Sequence, residues 1–117
     1  MIDTTKEYIV CAANWYDDGT KHGNQPKNIT IGFVLSGLYH SSCIASFAVP
    51  YKYPYDEEAI KVMRTCKDGF LTSYNRFVDR VEAGQIAIAC GQIKKMHYFN
   101  DTKLDSSDLY GNFEDTK

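Results

Sequence analysis

The chain has little of what a membrane-bound or polymer-binding protein needs. No run of eighteen apolar residues occurs, which excludes a bilayer-spanning helix and any membrane partner that depends on one. The first residues, Met1-Ile2-Asp3-Thr4-Thr5-Lys6-Glu7, lack the basic-then-apolar order of a signal peptide, so a cytosolic location is expected. Thirteen Lys and Arg face fifteen Asp and Glu for a formal charge of −2. That is far from the basic excess that duplex nucleic acid demands, so no polymeric DNA or RNA partner is expected. The two N-x-T sequons, at Asn28 and Asn100, would need a secretory route and are read as chance.

Thiol and phosphate motifs are missing too. Cys11, Cys43, Cys66 and Cys90 are widely spaced, each in or beside an apolar stretch, and none forms a C-x-x-C pair; a reducing compartment explains them as small buried hydrophobes. Together with His22, His40 and His97 they show no finger, ribbon or knuckle spacing, so no metal is expected, and no other cofactor is implied. Gly19, Gly23, Gly32 and Gly37 fit neither G-x-x-x-x-G-K-[ST] nor G-x-G-x-x-G, which disfavours nucleoside-triphosphate chemistry.

Aromatic side chains are what the sequence has in excess, at 14% beside 44% hydrophobic and 24% charged residues. At 117 residues roughly two-thirds of the unfolded surface can be buried, so residues 1–117 are expected to form one α+β domain with a frayed tail over about 111–117. Residues 8–16 (YIVCAANWY) read as a strand. The polar stretch 17–28 reads as a loop. Residues 29–38 (ITIGFVLSGL) and 43–49 (CIASFAV) read as two strands of an antiparallel hairpin, completing an N-terminal sheet. The Pro-Tyr connector 50–55 breaks regular structure and leaves three rings in need of packing. Two helices are expected in the C-terminal half. The first covers residues 57–67, capped by Asp56, with Ala59 or Ile60, Met63 and Cys66 along its apolar line. The second covers residues 80–90, where Asp79 and Glu82 form a capping box, Val78 and Ala83 a staple, and Gly91 the terminus. Val81, Ile86, Ala89 and Cys90 are available for its burial. Between the helices, residues 69–78 read as a loop or short strand.

Catalytic constellations are weak. His40 and Cys43 on a strand would point to opposite faces. The acids Asp17-Asp18, Glu57-Glu58 and Asp105/Asp108 lie in a turn, a first helical turn and the tail, where solvation explains them. Residues 69–80 remain: Phe70, Tyr74 and Phe77 interleave with Asn75, Arg76 and Arg80, and two of the chain's three arginines are here. Rings that stack on a base, guanidinium forks for phosphate and an amide for a base edge make a nucleotide-binding set. The plainer reading makes Phe70 and Phe77 core anchors and leaves Arg76 and Arg80 solvated or paired with local acids.

The segments GFLTSYNRFVDRVEAGQIAIACGQI (69–93) and LDSSDLY (104–110), with GFVLSGLYHSSC (32–43) upstream, resemble a set of small phage proteins, the Thoeris anti-defence sponges. The resemblance covers about two-thirds of the chain. It implies a non-enzymatic protein of the host cytoplasm that sequesters a cyclic ADP-ribose-type signal or a cyclic oligonucleotide. It also implies an α+β subunit in a homo-oligomer, dimer or hexamer, with pockets at subunit boundaries. The positions that match the pattern are His40, Phe70, Thr72, Arg76, Phe77, Arg80, Glu82, Gln92, Asp108 and Tyr110. With Asn75 added from the reading of residues 69–80, the expected ligand-binding set is His40, Phe70, Thr72, Asn75, Arg76, Phe77, Arg80 and Tyr110, with no catalytic residue. One departure is Tyr39, where the set carries arginine. Two rival functions are a phosphodiesterase acting on the same signals and a phage protein-interaction module.

Overall fold

A computed structural model describes residues 2–96 and 102–110. Four strands, β1 (Ile9–Tyr16), β2 (Phe33–Gly37), β3 (Lys67–Thr72) and β4 (Phe77–Asp79), form one sheet in the order β2-β1-β3-β4, with every neighbouring pair antiparallel. The helices are α1 (His40–Ala45), which runs on into a 3-10 turn at Ser46–Ala48, then α2 (Glu57–Met63), α3 (Arg80–Ala89) and α4 (Ser106–Tyr110). The fold is α+β, as the sequence implies. Half of the sheet, however, comes from the C-terminal part of the chain.

One face of the sheet carries the core. Ala12, Phe70 and Val78 stand in register across β1, β3 and β4, and with Ala83, Ala87 and Leu104 they make the first cluster. Tyr16, Phe33, Phe47, Ala59 and Val62 make the second. In it Tyr51 stacks on Phe47 at 4.9 Å and Tyr55 meets that ring edge-on at 5.4 Å. Two rings of the Pro-Tyr connector thus find packing, while Tyr53 stays 79% exposed. On the opposite face Trp15 and Phe77 meet edge to face at 6.1 Å.

The strand expected over 43–49 is helical instead. Cys43 and Phe47 are buried while Ala45 between them is exposed, as are Ile44 and Val49 at 60% and 82%; a strand would bury position 45 with the other two, whereas a helical turn puts only positions four apart on the buried face. Ser46 Oγ donates to the Ser42 carbonyl at 3.0 Å, closing the turn. With that strand gone there is no hairpin, and β2 pairs with β1. The strand expected over 29–38 shortens to β2 because Gly32 takes φ +87°. The first C-terminal helix stops at Met63, and Lys67 already belongs to β3. The expected loop or short strand at 69–78 becomes the hairpin of β3 and β4, turned at Asn75 with φ +59°.

Both helix caps form. The Ala59 amide donates to Asp56 Oδ1 and the Glu82 amide to Asp79 Oδ1, each at 2.8 Å. The C-terminal end of α3 passes into Gly91 at φ +84°. Its buried side follows the expectation in part: Cys90 is buried and Ile86, half-buried, packs against the core, but Val81 and Ala89 are exposed and Ala83, Gly84 and Ala87 take the rest of the face. Small side chains let α3 lie close to the sheet, and a Cβ on Gly84 would stand 2.3 Å from Met96 Sδ. Closeness of approach, rather than side-chain bulk, selects that face.

Side-chain amides finish the sheet where no strand continues it. Asn28 accepts from the Phe77 amide at 2.8 Å and donates to the Phe77 carbonyl at 2.7 Å. Gln25 Oε1 accepts from the Val34 amide at 2.8 Å. These bonds satisfy the Val34 and Phe77 edge groups and so reduce the template for pairing with another chain.

Candidate functional site

The structure brings the expected residues to three places. The first surrounds Arg76, whose side chain leaves the β3–β4 turn and forks onto Glu7 at 2.8 and 2.9 Å, with a further bond to Glu82 Oε2 at 2.9 Å. Thr72, itself buried, donates through Oγ1 to the same Glu7 carboxylate at 2.5 Å. The Arg76 hydrogen bonds hold the Glu7 carboxyl below its ordinary range, and the two carboxylates raise Arg76. Glu82 is thereby diverted from the reciprocal half of the capping box. Asn75 serves the turn, its carbonyl accepting from the Lys27 amide at 2.8 Å.

The second place surrounds Phe70, which is fully buried. His40 lies edge-on to its ring at 5.0 Å, and the Arg80 guanidinium stands 6.0 Å above it. His40 Nε2 lies 2.7 Å from the Gly69 carbonyl, which can only accept, so the proton is on Nε2; Nδ1 is left to accept from Ser106 Oγ at 3.0 Å. Burial pushes the His40 pKa down. Arg80 donates to Asp68 at 3.0 and 3.2 Å and to the Leu104 carbonyl at 2.7 Å, with Asp105 at 3.5 Å. Burial works against ionisation of Asp68, and Arg80 outweighs it, so that carboxyl sits low. Arg80 also borders a cavity of about 200 Å³ with Asp68, Asp79, Val81 and Lys103.

The third place is Tyr110. Tyr110 and Tyr8 line a cavity of about 370 Å³ together with Ile2, Ile9, Val10, Gln92 and Leu109. Tyr39 packs edge-on to Tyr110 at 5.5 Å. Where the resemblance has arginine, this chain therefore has a ring supporting the cavity's own ring. Gln92 spends both ends of its amide on Ile9, accepting from its N–H at 2.7 Å and donating to its carbonyl at 2.8 Å.

The expectation that Phe70 stacks on a base does not survive its burial in the core, and Phe77 is committed to Trp15. Both arginines pair with acids: Glu82 and Asp68 are local, as the plainer reading has it, whereas Glu7 lies 69 positions from Arg76 and Asp105 reaches Arg80 from the segment before α4. Glu7, Asp68, Ser106 and Tyr8 were not expected at these sites. Asp68, beside the GF motif, was the one with a local signal. The Cys43 thiol, its pKa raised by burial to about 11, donates to the Tyr39 carbonyl at 3.4 Å, and His40 has both nitrogens engaged with Gly69 and Ser106. The premise that the two point to opposite faces of a strand falls with that strand. Among the described residues no group of three or more His, Cys, Asp or Glu is placed to hold a metal ion; His97 and the tail 111–117 lie outside the described residues. No described helix is long and apolar enough to cross a membrane.

Residues 8–110 match the family described as phage T4 y16D protein. The chain belongs to this family. The match takes in all the expected ligand residues, together with both tyrosines of the Tyr8–Tyr110 cavity, and leaves Ile2 and Glu7 outside it. Its description names a phage and no activity. No curated protein and no solved structure gives a significant match.

Proposed function

We propose that this phage protein binds and sequesters a small cyclic nucleotide, a cyclic ADP-ribose-type signal or a cyclic oligonucleotide, in the host cytoplasm. The observation that carries the reading is the Tyr8–Tyr110 cavity. Its volume of about 370 Å³ falls within the ~300–1,000 Å³ of small-molecule sites. Two tyrosines line it, whose rings can stack on a base, and the described residues lining it include no carboxylate, imidazole or thiol. Such a lining suits holding a ligand rather than transforming it.

Phosphate needs cations, and none is among the described residues lining this cavity, whereas Arg80 and Lys103 border the smaller one. Among the described residues neither cavity combines rings and cations for both parts of a nucleotide. The reading therefore requires a homo-oligomer, dimer or hexamer, in which copies complete each other's sites. A sponge acts by mass action, so affinity should be about nanomolar, on the order of −12 kcal/mol.

The test is a thermal-shift screen of the purified protein against cyclic ADP-ribose isomers and cyclic di- and trinucleotides, followed by calorimetry and chromatography of the ligand recovered after denaturation. Intact ligand and a higher Tm are expected. Tyr110→Ala should weaken binding by about 1–3 kcal/mol, the worth of a stacked base. Hydrolysed product would make the protein an enzyme, and silence across the panel would make it an interaction module.

A further inference from the structure

Residues 2–8 lie across the molecule from the end of α3 to the β3–β4 turn. The Asp3 amide donates to the Cys90 carbonyl at 2.8 Å, the Tyr74 phenol to the Thr5 carbonyl at 3.4 Å, and Lys6 Nζ reaches the Ala89 carbonyl at 3.5 Å. Tyr8 donates from its amide to Ser73 Oγ at 2.9 Å and accepts the Ser73 amide at 2.8 Å. Residues 2–6 are all exposed, so polar ties rather than apolar burial keep this segment down. Ile2 and Tyr8, at its two ends, are walls of the Tyr110 cavity.

Among these ties the Arg76–Glu7 fork has full charge on both sides and two parallel bonds, the strongest class of hydrogen-bonded pair. The same guanidinium also holds Glu82 on α3. One side chain thus joins the segment, the turn and the helix.

We infer that residues 2–8 are a strap over the cavity and that Arg76 is its latch: a positioning residue that sets the access of a planar ring to Tyr110 without touching that ring. The inference rests on the cavity being the binding site proposed above. It reassigns Arg76 from phosphate contact to control of entry. Segments held by exposed polar contacts open at small free-energy cost, and ligand-gating elements are drawn from them.

The test uses the full chain with Glu7→Gln, which leaves the Arg76–Glu82 bond in place, and with Arg76→Gln. Amide hydrogen exchange across residues 2–8 should speed up by about tenfold in both variants, with the amides of β1 from Ala12 to Tyr16 unchanged. Nitration of Tyr110 by tetranitromethane, located by peptide mass spectrometry, should speed up several-fold in parallel. Unchanged exchange in both variants overturns the latch, as does faster exchange throughout the chain, which would mean that Arg76 holds the fold. Faster exchange with unchanged Tyr110 nitration overturns the control of access. If Arg76→Gln does not fold, Glu7→Gln alone decides. None of these readouts needs a nucleotide, so a silent ligand panel with a mobile strap removes the nucleotide reading and leaves the latch standing.

Discussion

The primary amide of Gln92 sits against Ile9 as a neighbouring strand would, taking its N–H at 2.7 Å and giving an N–H to its carbonyl at 2.8 Å. The position explains the geometry. β2 reaches only as far as Gly37, opposite Ala12, and the pairing of β1 with β3 is irregular between Ile9 and Cys11. Ile9 is 3% exposed, so without Gln92 its backbone would be left unpaired away from water.

Gln92→Ala should therefore lower stability by about 1–3 kcal/mol, the sum of two ordinary hydrogen bonds and some unmet desolvation. The check is urea unfolding: the midpoint should fall while the slope stays constant. An unmoved midpoint would show that water replaces the amide without loss.

The Asp79 cap gives a second expectation. Asp79→Ala removes the acceptor of the Glu82 amide and should cost about 1 kcal/mol. Thermal melting of the two proteins side by side decides it, and coincident curves would rule the cap out as a stabilising element.

Gly69 is required by space. A Cβ there would stand 2.1 Å from the Val78 carbonyl oxygen and 2.8 Å from the Phe77 ring. The backbone of β4 cannot yield without breaking the hairpin. Gly69→Ala should destabilise by about 3 kcal/mol, at the upper end for overpacking. Gly23→Ala, with nothing within 4 Å, is the control and should be neutral or slightly stabilising, by up to ~1 kcal/mol. Equal effects at both positions would contradict the hairpin geometry.

His40 makes stability depend on pH. Burial lowers its pKa from the ordinary 6.5, so the folded state binds this proton less readily than the unfolded chain does. Its contribution is complete above pH 6.5 and is lost as pH falls from there through the folded pKa. In an NMR titration the His40 ring should titrate below 6.5, and His40→Gln should flatten the decline in stability over that interval. A ring titrating above that value would reverse the sign and refute the buried neutral imidazole.

The sequence by itself determined the features whose causes are local. Asp56 and Asp79 cap helices because a carboxylate three residues before an orphan amide needs no distant partner. Gly91 ends α3 because it tolerates positive φ. β1 was legible from its β-branched and aromatic run, and the α+β class from the mixture of such runs with capped segments.

Tertiary structure decided what depends on partners far along the chain. Residues 43–49 are apolar enough for a strand, but the depth at which Cys43 and Phe47 are buried makes them a helical turn; short apolar runs take the conformation their burial allows. Arg76 and Arg80 were visible as guanidinium groups, yet Glu7 and the Leu104 carbonyl became their partners only when the N-terminal strap and the segment before α4 closed over the sheet. Tyr8 and Tyr110 line one cavity for the same reason, 102 positions apart. Such contacts are fixed by chain closure around a common core, whose geometry no local pattern of residues encodes.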